Sequence, residues 1–222
     1  MSVRVVCSTG SYPGSLVMHT VKHLHDSITK NVCDFCNINL DCVIQGDDLP
    51  SIFEVLVNML NQGVGAAILK KVGIEVGPTP EMKPWKGFLQ RMKNAKDVVN
   101  IALVGKYDLQ DAYKSIRESL YIAGTYNDYK VVITFVNSQF ITKANIAEKL
   151  VGQDGVVICP GFGQRGTDGK IVAAEYARTH DLPTFGICYG MQMMVIEFAR
   201  DVLGYTDANS RELDEKTPHN VI

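Results

Sequence analysis

Short apolar runs alternate with segments of helical spacing along the second half of the chain. Four of these runs are predicted to be strands, at residues 101–104, 131–136, 156–159 and 184–187. The first is a continuous apolar run that ends in Gly105, as expected of a strand buried on both faces. Each of the four runs is followed by a predicted helix, at residues 111–123, 142–150, 169–178 and 189–203. This alternation predicts an α/β fold with a doubly wound, mostly parallel sheet. In such sheets, reactive groups collect at the carboxyl ends of the strands.

The first part of the chain has a less regular pattern. Strands are predicted at residues 3–7 and 43–44, and helices at residues 16–28, 51–60 and 66–72. Ser51 has Glu54 three residues after it, which is the pattern of a capping box at a helix start. These elements predict a second, smaller α/β domain.

Residues 75–94 separate the two patterns. They contain three prolines, no strong periodicity and the single tryptophan, Trp85, which predicts a linker that ends in a short helix and is anchored by the indole. We therefore divide the chain into a small domain at residues 1–75, a linker at residues 76–99 and a larger domain at residues 100–222.

The composition restricts the partners and the compartment. A net charge of -2 gives no electrostatic reason to expect nucleic acid or a membrane surface as a partner. No apolar run reaches the roughly 20 residues that span a bilayer, and the N-terminus is a poor signal peptide. The six cysteines are therefore expected to be reduced thiols of a cytoplasmic protein.

The stretch Gly-Ile-Cys-Tyr-Gly-Met-Gln at residues 186–192 places Cys188 between the fourth strand and its helix. This is the cysteine form of a nucleophile elbow, with Gly186 and Gly190 allowing close packing around the turn. The start of the helix favours the thiolate, and the Tyr189 N–H is a candidate oxyanion donor. An inert, buried cysteine is the alternative, and the flanking glycines favour the nucleophile.

A second glycine-containing loop, at residues 160–166, follows the third strand. The amide of Gly161 is a candidate for the second oxyanion donor, because neighbouring parallel strands end at the same sheet edge. The loop also reads G-x-G-x-x-G, but the dinucleotide fingerprint belongs after the first strand of a βαβ unit. We therefore predict no dinucleotide site here.

Taken together, these motifs resemble the CTP synthase family. Six segments carry the resemblance, at residues 30–36, 43–53, 101–115, 160–170, 186–192 and 207–212. The first two are similar to the last part of the family's synthetase domain, and the others to the first portion of its class I glutamine amidotransferase domain. The nucleophile turn alone would fit any class I amidotransferase.

The resemblance implies roles for particular residues. Cys188 would attack the glutamine carboxamide. The residues implied to line the glutamine site are Gly161, Tyr189, Gly190, Met191, Gln192 and Glu212. In the synthetase part, Lys30 would contact the uracil nucleotide, and the ATP adenine would be bordered by Asp47, Asp48 and Leu49.

The resemblance also implies a whole reaction. UTP is activated at its 4-position with ATP and Mg²⁺, and ammonia from glutamine displaces phosphate to give CTP. GTP would activate glutamine hydrolysis, and other CTP synthase subunits would be partners in a homo-oligomer, a tetramer when complete. No cofactor or metal site is assigned to this chain itself.

The chain also departs from the family pattern. Only Gly161 precedes Phe162, where the family has two glycines, which predicts a displaced oxyanion donor. The family's catalytic His-Pro-Glu segment and a G-x-x-x-x-G-K-[ST] phosphate loop do not occur, and neither His180 nor His219 is expected to replace the histidine. We therefore expect the chain alone to catalyse neither half-reaction efficiently, as a fragment, a split-gene product or a degenerate copy would.

Three interpretations stay open on the sequence. The chain is a CTP synthase segment, a non-catalytic module that binds CTP synthase subunits, or another class I amidotransferase. A zinc site is a further possibility, because Cys33 and Cys36 follow His23 and His25. Ordinary core packing of these cysteines is favoured over zinc.

Overall fold

The computed structural model describes residues 14–108 and 111–222. The strands are β1 (Leu16–Thr20), β2 (Val43–Asp47), β3 (Asp97–Gly105), β4 (Tyr129–Asn137), β5 (Gly155–Ile158) and β6 (Thr184–Gly186). The helices are α1 (Asp26–Cys36), α2 (Ile52–Asn61), α3 (Val64–Lys71), α4 (Lys83–Asn94), α5 (Lys114–Tyr126), α6 (Ile146–Lys149), α7 (Thr167–Thr179) and α8 (Tyr189–Asp201). The chain divides into two compact units, Met1–Gln90 and Arg91–Ile222, and each is described by itself.

The first unit contains a two-stranded parallel sheet. Strand β1 pairs with β2, with Leu16 opposite Val43 and Thr20 opposite Asp47. Its buried core residues are Cys33, Cys36, Ile38, Cys42, Val43 and Ala67. The strand predicted at residues 43–44 is confirmed and continues to Asp47, whereas the strand predicted at residues 3–7 lies outside the described residues.

The helix predicted over residues 16–28 is wrong except at residues 26–28, where α1 begins. Leu16 and Met18 pack against the core while Val17 is 53% exposed, which is the alternation of a strand. Pairing with β2, more than twenty residues away, decides this conformation, and no local pattern reports it. Helix α1 begins only at Asp26, where the His25 side chain accepts a hydrogen bond from the Ser27 N–H.

Two local predictions for this unit are confirmed. The Ser51 hydroxyl accepts a hydrogen bond from the Phe53 N–H at 3.3 Å and caps α2. The Trp85 indole donates to the Phe53 carbonyl at 2.9 Å and stacks on Phe88, so it anchors α4. Helix α4 occupies most of the second half of the predicted linker, and the predicted domain boundaries themselves stay a prediction.

The second unit is built on a four-stranded parallel sheet in the order β4-β3-β5-β6. One face of β3 and β5 packs on α7, and the residues in that contact include Ala102, Val104, Val156, Ile158, Ala173, Ala174 and Ala177. The other face packs on α5, and the residues there include Leu103, Val157, Ile116 and Leu120. Helices therefore cover both faces, and the predicted doubly wound α/β fold is confirmed.

The four helices of this unit all differ from their predicted bounds, and α5 and α6 differ most. Helix α5 continues past residue 123 to Tyr126. A Cβ on Gly124 would come within 2.3 Å of the Val131 side chain. Gly124 thus serves a close approach to β4 and does not end the helix. Helix α6 covers only Ile146–Lys149 of the predicted residues 142–150.

No single helix among the described residues is long and apolar enough to cross a membrane. Helices α2 and α3 pass that test only as a pair, with a bend of 60° between them.

Candidate active site

The carboxyl ends of β5 and β6 bring the two predicted glycine motifs together. The strands are parallel neighbours, with Ile158 opposite Gly186, so the loop after β5 and the turn after β6 emerge at one sheet edge. The Ile187 N–H donates to the Ile158 carbonyl at 3.0 Å and holds the turn against β5. The predicted juxtaposition of the two motifs is therefore present.

Cys188 stands between β6 and α8 in a strained backbone conformation. Its φ is 52° and its ψ is -112°, and it occupies the N-cap position of α8. A non-glycine residue held in such a region costs about 1–3 kcal/mol, and such strain is concentrated at functional sites. The Cys188 side chain is exposed, whereas Cys33, Cys36, Cys42 and Cys159 are buried. The geometry is that of a nucleophile elbow.

The glycines on either side of Cys188 have no room for side chains. A Cβ on Gly190 would lie 2.0 Å from the Ile158 carbonyl oxygen. A Cβ on Gly186 would lie 2.6 Å from the backbone of Met191. Close packing of α8 on β5 explains Gly190, and close packing of α8 on the end of β6 explains Gly186.

Two backbone amides at this sheet edge, one on the turn of Cys188 and one on the loop after β5, are available to an oxyanion. In the part of the chain that the structure describes, neither the Tyr189 N–H nor the Gly161 N–H donates to a protein acceptor. Tyr189 is the first residue of α8, where amides have no partner within the helix. Gly161 has a φ of 122°, which favours glycine, and the preceding Pro160 has no N–H to offer. Gly161 is thus the candidate donor from its loop.

The Tyr189 side chain connects the nucleophile turn to the glycine loop. It is 1% exposed, its hydroxyl lies 3.0 Å from Thr167 Oγ1, and its ring meets Phe162 edge to face at 5.7 Å. Burial raises the pKa of the Tyr189 phenol above its usual range, so the phenol keeps its proton. Tyr189 therefore contributes an amide to the site and a buried side chain to its support.

The loop at residues 160–166 is held by side chains that sequence reasoning missed. The Lys106 ammonium donates to the Phe162 carbonyl, and the Arg165 guanidinium donates to the Lys106 carbonyl at 3.2 Å. The Tyr113 hydroxyl accepts from the Lys106 N–H at 3.1 Å and donates to the Pro160 carbonyl at 3.4 Å. Burial raises the pKa of Tyr113, so the phenol keeps its proton.

Lys170 on α7 was missed as well. Its side chain is fully buried, and its ammonium donates to the Cys159 carbonyl at 2.7 Å and to the Pro160 carbonyl at 3.4 Å. The same ammonium lies 5.1 Å from the centre of the Tyr189 ring. Burial lowers the pKa of Lys170 to about 8. The available signal was a lysine at the helical spacing of Ala173, Ala174 and Ala177, on an otherwise apolar face.

The remaining residues predicted for the glutamine site lie around this edge. Met191 is 47% exposed on the first turn of α8. Gln192 has a buried side-chain oxygen that finds no partner among the described residues. Glu212 is exposed. Burial is the main reason that the pKa of Tyr189 is raised, the Thr167 hydrogen bond lowers it, and the charge of Glu212 makes a smaller upward contribution. Their predicted contacts with glutamine stay predictions.

The histidines near these elements are engaged elsewhere. His180 stacks on Tyr176 with ring centres 3.9 Å apart. His219 Nδ1 lies 2.6 Å from the Asp207 carboxylate, and its ring stacks on Tyr205. The prediction that neither serves Cys188 as a base stays a prediction.

The nucleotide-site residues predicted from the resemblance belong to the first unit. Lys30 is exposed on α1, and Asp47 ends β2 with Asp48 and Leu49 directly after it. Asp47 Oδ2 lies 2.8 Å from His23 Nδ1, whereas its Oδ1 is buried and lacks a partner among the described residues. The placement is compatible with a nucleotide site, and the assignment stays a prediction.

The geometry of the described residues does not support the zinc site considered from the sequence. Cys33 and Cys36 are buried on helix α1, and both belong to the core. His23 and His25 precede that helix. Within residues 14–108 and 111–222, no group of three or more histidine, cysteine or carboxylate side chains is arranged to hold a metal.

Comparison with known proteins gives two family matches. The glutamine amidotransferase class-I family matches residues 108–220, just over half the chain, and the CTP synthase N-terminus family matches residues 1–74. The CTP synthase of Bacteroides thetaiotaomicron is 57% identical over 223 residues, which cover 100% of this chain and 42% of that protein. The CTP synthase of Porphyromonas gingivalis is 50% identical and is covered to 41%. The chain thus spans about two fifths of the length of these curated relatives.

A solved structure agrees with the sequence matches. The glutaminase domain of Trypanosoma brucei CTPS with bound acivicin superposes with a TM-score of 0.52 at 38% identity, over 55% of this chain and 48% of that one. This similarity supports the same fold around Cys188. The chain therefore belongs to the class-I glutamine amidotransferase family, and over its full length it is similar to CTP synthases.

Proposed function

We propose that Cys188 is the nucleophile of a glutamine-hydrolysing site whose ammonia serves the ATP-dependent amination of UTP to CTP. The observation that carries this proposal is the exposed, strained Cys188 at a strand–helix turn, at the sheet edge that also carries the unpaired amides of Gly161 and Tyr189. The full-length similarity to CTP synthases supports the choice of acceptor. It also favours a CTP synthase segment over a binding module or another amidotransferase.

Glutamine hydrolysis at this turn follows the chemistry of covalent catalysis. Cys188 Sγ attacks the carboxamide carbon, and the carbonyl oxygen becomes an oxyanion that the Gly161 and Tyr189 N–H groups stabilise. The C–N bond then breaks, ammonia leaves with the proton that Sγ gave up, and a thioester remains on Cys188. Water hydrolyses the thioester to glutamate and restores the thiol.

Polar groups at the same edge suit the rest of the substrate. The unpartnered Gln192 side-chain oxygen is a buried acceptor that a donor group of glutamine would satisfy. The Glu212 carboxylate would pair with the substrate's α-ammonium, and Met191 would cover its methylene groups. Gly190 keeps the start of α8 close enough to β5 for these contacts.

The first unit is assigned to nucleotide binding. Lys30 would pair with the uracil nucleotide, and Asp47, Asp48 and Leu49 would border the ATP adenine. The buried, unpartnered Oδ1 of Asp47 fits an acceptor for a donor such as the adenine amino group. ATP with Mg²⁺ supplies the activating phosphoryl group when bound, GTP acts as activator, and the assembly is a cytoplasmic homo-oligomer. No residue of this chain is assigned to Mg²⁺.

Covalent labelling tests the nucleophile directly. A chloroketone analogue of glutamine should label Cys188 in the wild-type chain, and excess glutamine should protect it. Cys188→Ala should abolish the label, and the buried Cys159 serves as the internal control that stays unmodified in both proteins. Equal labelling of the Cys188→Ala chain, or no protection by glutamine, would reject the assignment.

Ammonia release tests the reaction. The chain is assayed with glutamine alone and together with a second chain that carries the C-terminal part of the glutaminase domain of a CTP synthase relative. Hydrolysis that requires both chains and Cys188 supports the proposal. Binding to an intact CTP synthase without any such hydrolysis would instead favour a non-catalytic module.

A further inference from the structure

A buried cation lies beneath the two glycine motifs. Lys170 is fully buried on the face of α7 that otherwise carries alanines against the sheet. Its ammonium extends to the carboxyl edge of β5, where its acceptors are the carbonyls of Cys159 and Pro160. Glutamine hydrolysis as described above uses no chemistry of Lys170.

The contacts of Lys170 reach both candidate oxyanion donors. The Pro160 carbonyl and the Gly161 N–H belong to one planar trans peptide and point in opposite directions. A donor fixed on the Pro160 oxygen therefore aims the Gly161 N–H to the other side. The Tyr189 ring, 5.1 Å from the same ammonium, belongs to the residue that supplies the second amide.

We propose that Lys170 is a positioning residue for glutamine hydrolysis, whose ammonium holds the Gly161 peptide and the Tyr189 ring so that both amides face the developing oxyanion. This inference rests on the proposed function of Cys188. Lys170 touches no reacting atom and acts through the backbone of the glycine loop and through the tyrosine.

Burying the charged ammonium of Lys170 costs free energy. The need to fill space in the core therefore does not by itself explain a lysine at this position. A methionine of similar length would fill the same volume without desolvating an ammonium. Burial, the main cause, lowers the pKa of Lys170 to about 8, Cys159 and Cys188 raise it, and Lys106 lowers it further. The ammonium is thus charged below about pH 8 and loses its proton above it.

Two reagents separate an oxyanion effect from the reactivity of the thiol. Both form a bond to Cys188 Sγ with loss of halide, but the glutamine chloroketone first passes through a tetrahedral adduct with a negatively charged oxygen, whereas iodoacetamide does not. The ratio of the two second-order rate constants therefore reports the oxyanion site. Changes in the exposure or ionisation of Cys188 affect both rate constants and therefore cancel in their ratio.

The ratio is measured for the wild-type chain, for Lys170→Met and for the control Lys143→Met. Lys143 is an exposed lysine paired with Glu175, so its loss should leave the ratio unchanged. For Lys170→Met we expect a ratio about tenfold lower, because catalysis tolerates displacements of only about 0.5 Å. An unchanged ratio in a folded Lys170→Met chain overturns the inference.

The wild-type pH profile tests the same inference without a variant. Because the ammonium is lost as pH rises through about 8, the ratio should be constant at lower pH and fall above it. A flat wild-type ratio between pH 7 and about 9 overturns the inference even if Lys170→Met does not fold. A wild-type chain that glutamine does not protect refutes the proposed function itself, whereas protection with an unchanged ratio refutes only the role of Lys170.

Discussion

The hydroxyl of Tyr189 donates to Thr167 Oγ1 across 3.0 Å of buried space. The direction is fixed because the Thr167 hydroxyl donates its own proton to the Gly163 carbonyl at 3.2 Å. The chain from Tyr189 through Thr167 to Gly163 therefore ties the nucleophile turn to the glycine loop. Lys170 contacts the ring of the same tyrosine. The Tyr189 side chain is therefore linked to the glycine loop both through its hydroxyl and through its ring.

Removing the Tyr189 hydroxyl should destabilise the fold while leaving the aromatic ring of residue 189 in place. We expect Tyr189→Phe to lower the free energy of unfolding by about 1 kcal/mol, the usual value for one buried neutral hydrogen bond. Urea denaturation with an unchanged m-value would measure it. Tyr129→Phe, at the exposed start of β4, is the matched control and should change nothing. Equal stabilities of the two variants would contradict the role of the Tyr189 hydroxyl.

A single methyl group at the turn should be far more damaging. In Gly190→Ala, the new Cβ would lie 2.0 Å from the Ile158 carbonyl oxygen, so β5 and α8 must move apart. We expect a loss of about 3 kcal/mol in unfolding free energy and loss of glutamine-protected labelling at Cys188. Gly87→Ala on α4 is the control, since nothing lies within 4 Å of its added Cβ. That change should be neutral or gain up to about 1 kcal/mol.

The nucleophile turn could be predicted from sequence because its determinants are local. Gly186, Cys188 and Gly190 mark a strand–helix junction by residue type and spacing alone, and the alternation of elements gave the sheet that presents them. The supports of the glycine loop depend on approach in space. Lys106 and Tyr113 come from the connection between β3 and α5, Lys170 comes from α7, and their carbonyl partners carry no signature in residue type.

In the first unit, the local sequence pattern predicted the wrong secondary structure. Residues 16–28 contain apolar positions compatible with a helix, yet Leu16–Thr20 forms β1 because β2 offers a parallel partner. The gain from pairing with a distant strand overrides a weak local preference. A pattern read within a window of residues therefore identifies elements best where the neighbours in sequence are also the neighbours in space.

The ion pair between α7 and α8 should stabilise the unit more than a surface pair does. Arg178 donates to both carboxylate oxygens of Glu197, whose side chain is 3% exposed, and this pairing raises the pKa of Arg178. We expect Glu197→Gln to lower the unfolding free energy by about 2 kcal/mol, discounted because Arg178 is partly exposed. Glu175→Gln, which removes the pair with the exposed Lys143 and a weaker effect on Arg178, should cost clearly less. Similar losses in both variants, measured by urea denaturation, would argue against the burial of Glu197.

The described thiols should differ sharply in reactivity. Burial raises the pKa of Cys159 to about 12, so at pH 8 this group stays a protonated, inaccessible thiol, and its thiolate would appear only as pH rises towards 12. Cys33 and Cys42 are buried as well, and burial raises the pKa of each. Cys188 alone among the described cysteines is exposed.

We therefore expect iodoacetamide at pH 8 to modify Cys188 in the native chain at least about tenfold faster than Cys33, Cys42 or Cys159. Peptide mapping by mass spectrometry after brief exposure measures the order of modification. The same experiment in denaturant is the control, because unfolding removes the burial that sets the thiols apart and should bring their rates together. If Cys159 were modified as fast as Cys188 in the native chain, the loop after β5 would have to open to solvent. The arrangement of the Gly161 and Tyr189 N–H groups described above would then not be the stable conformation.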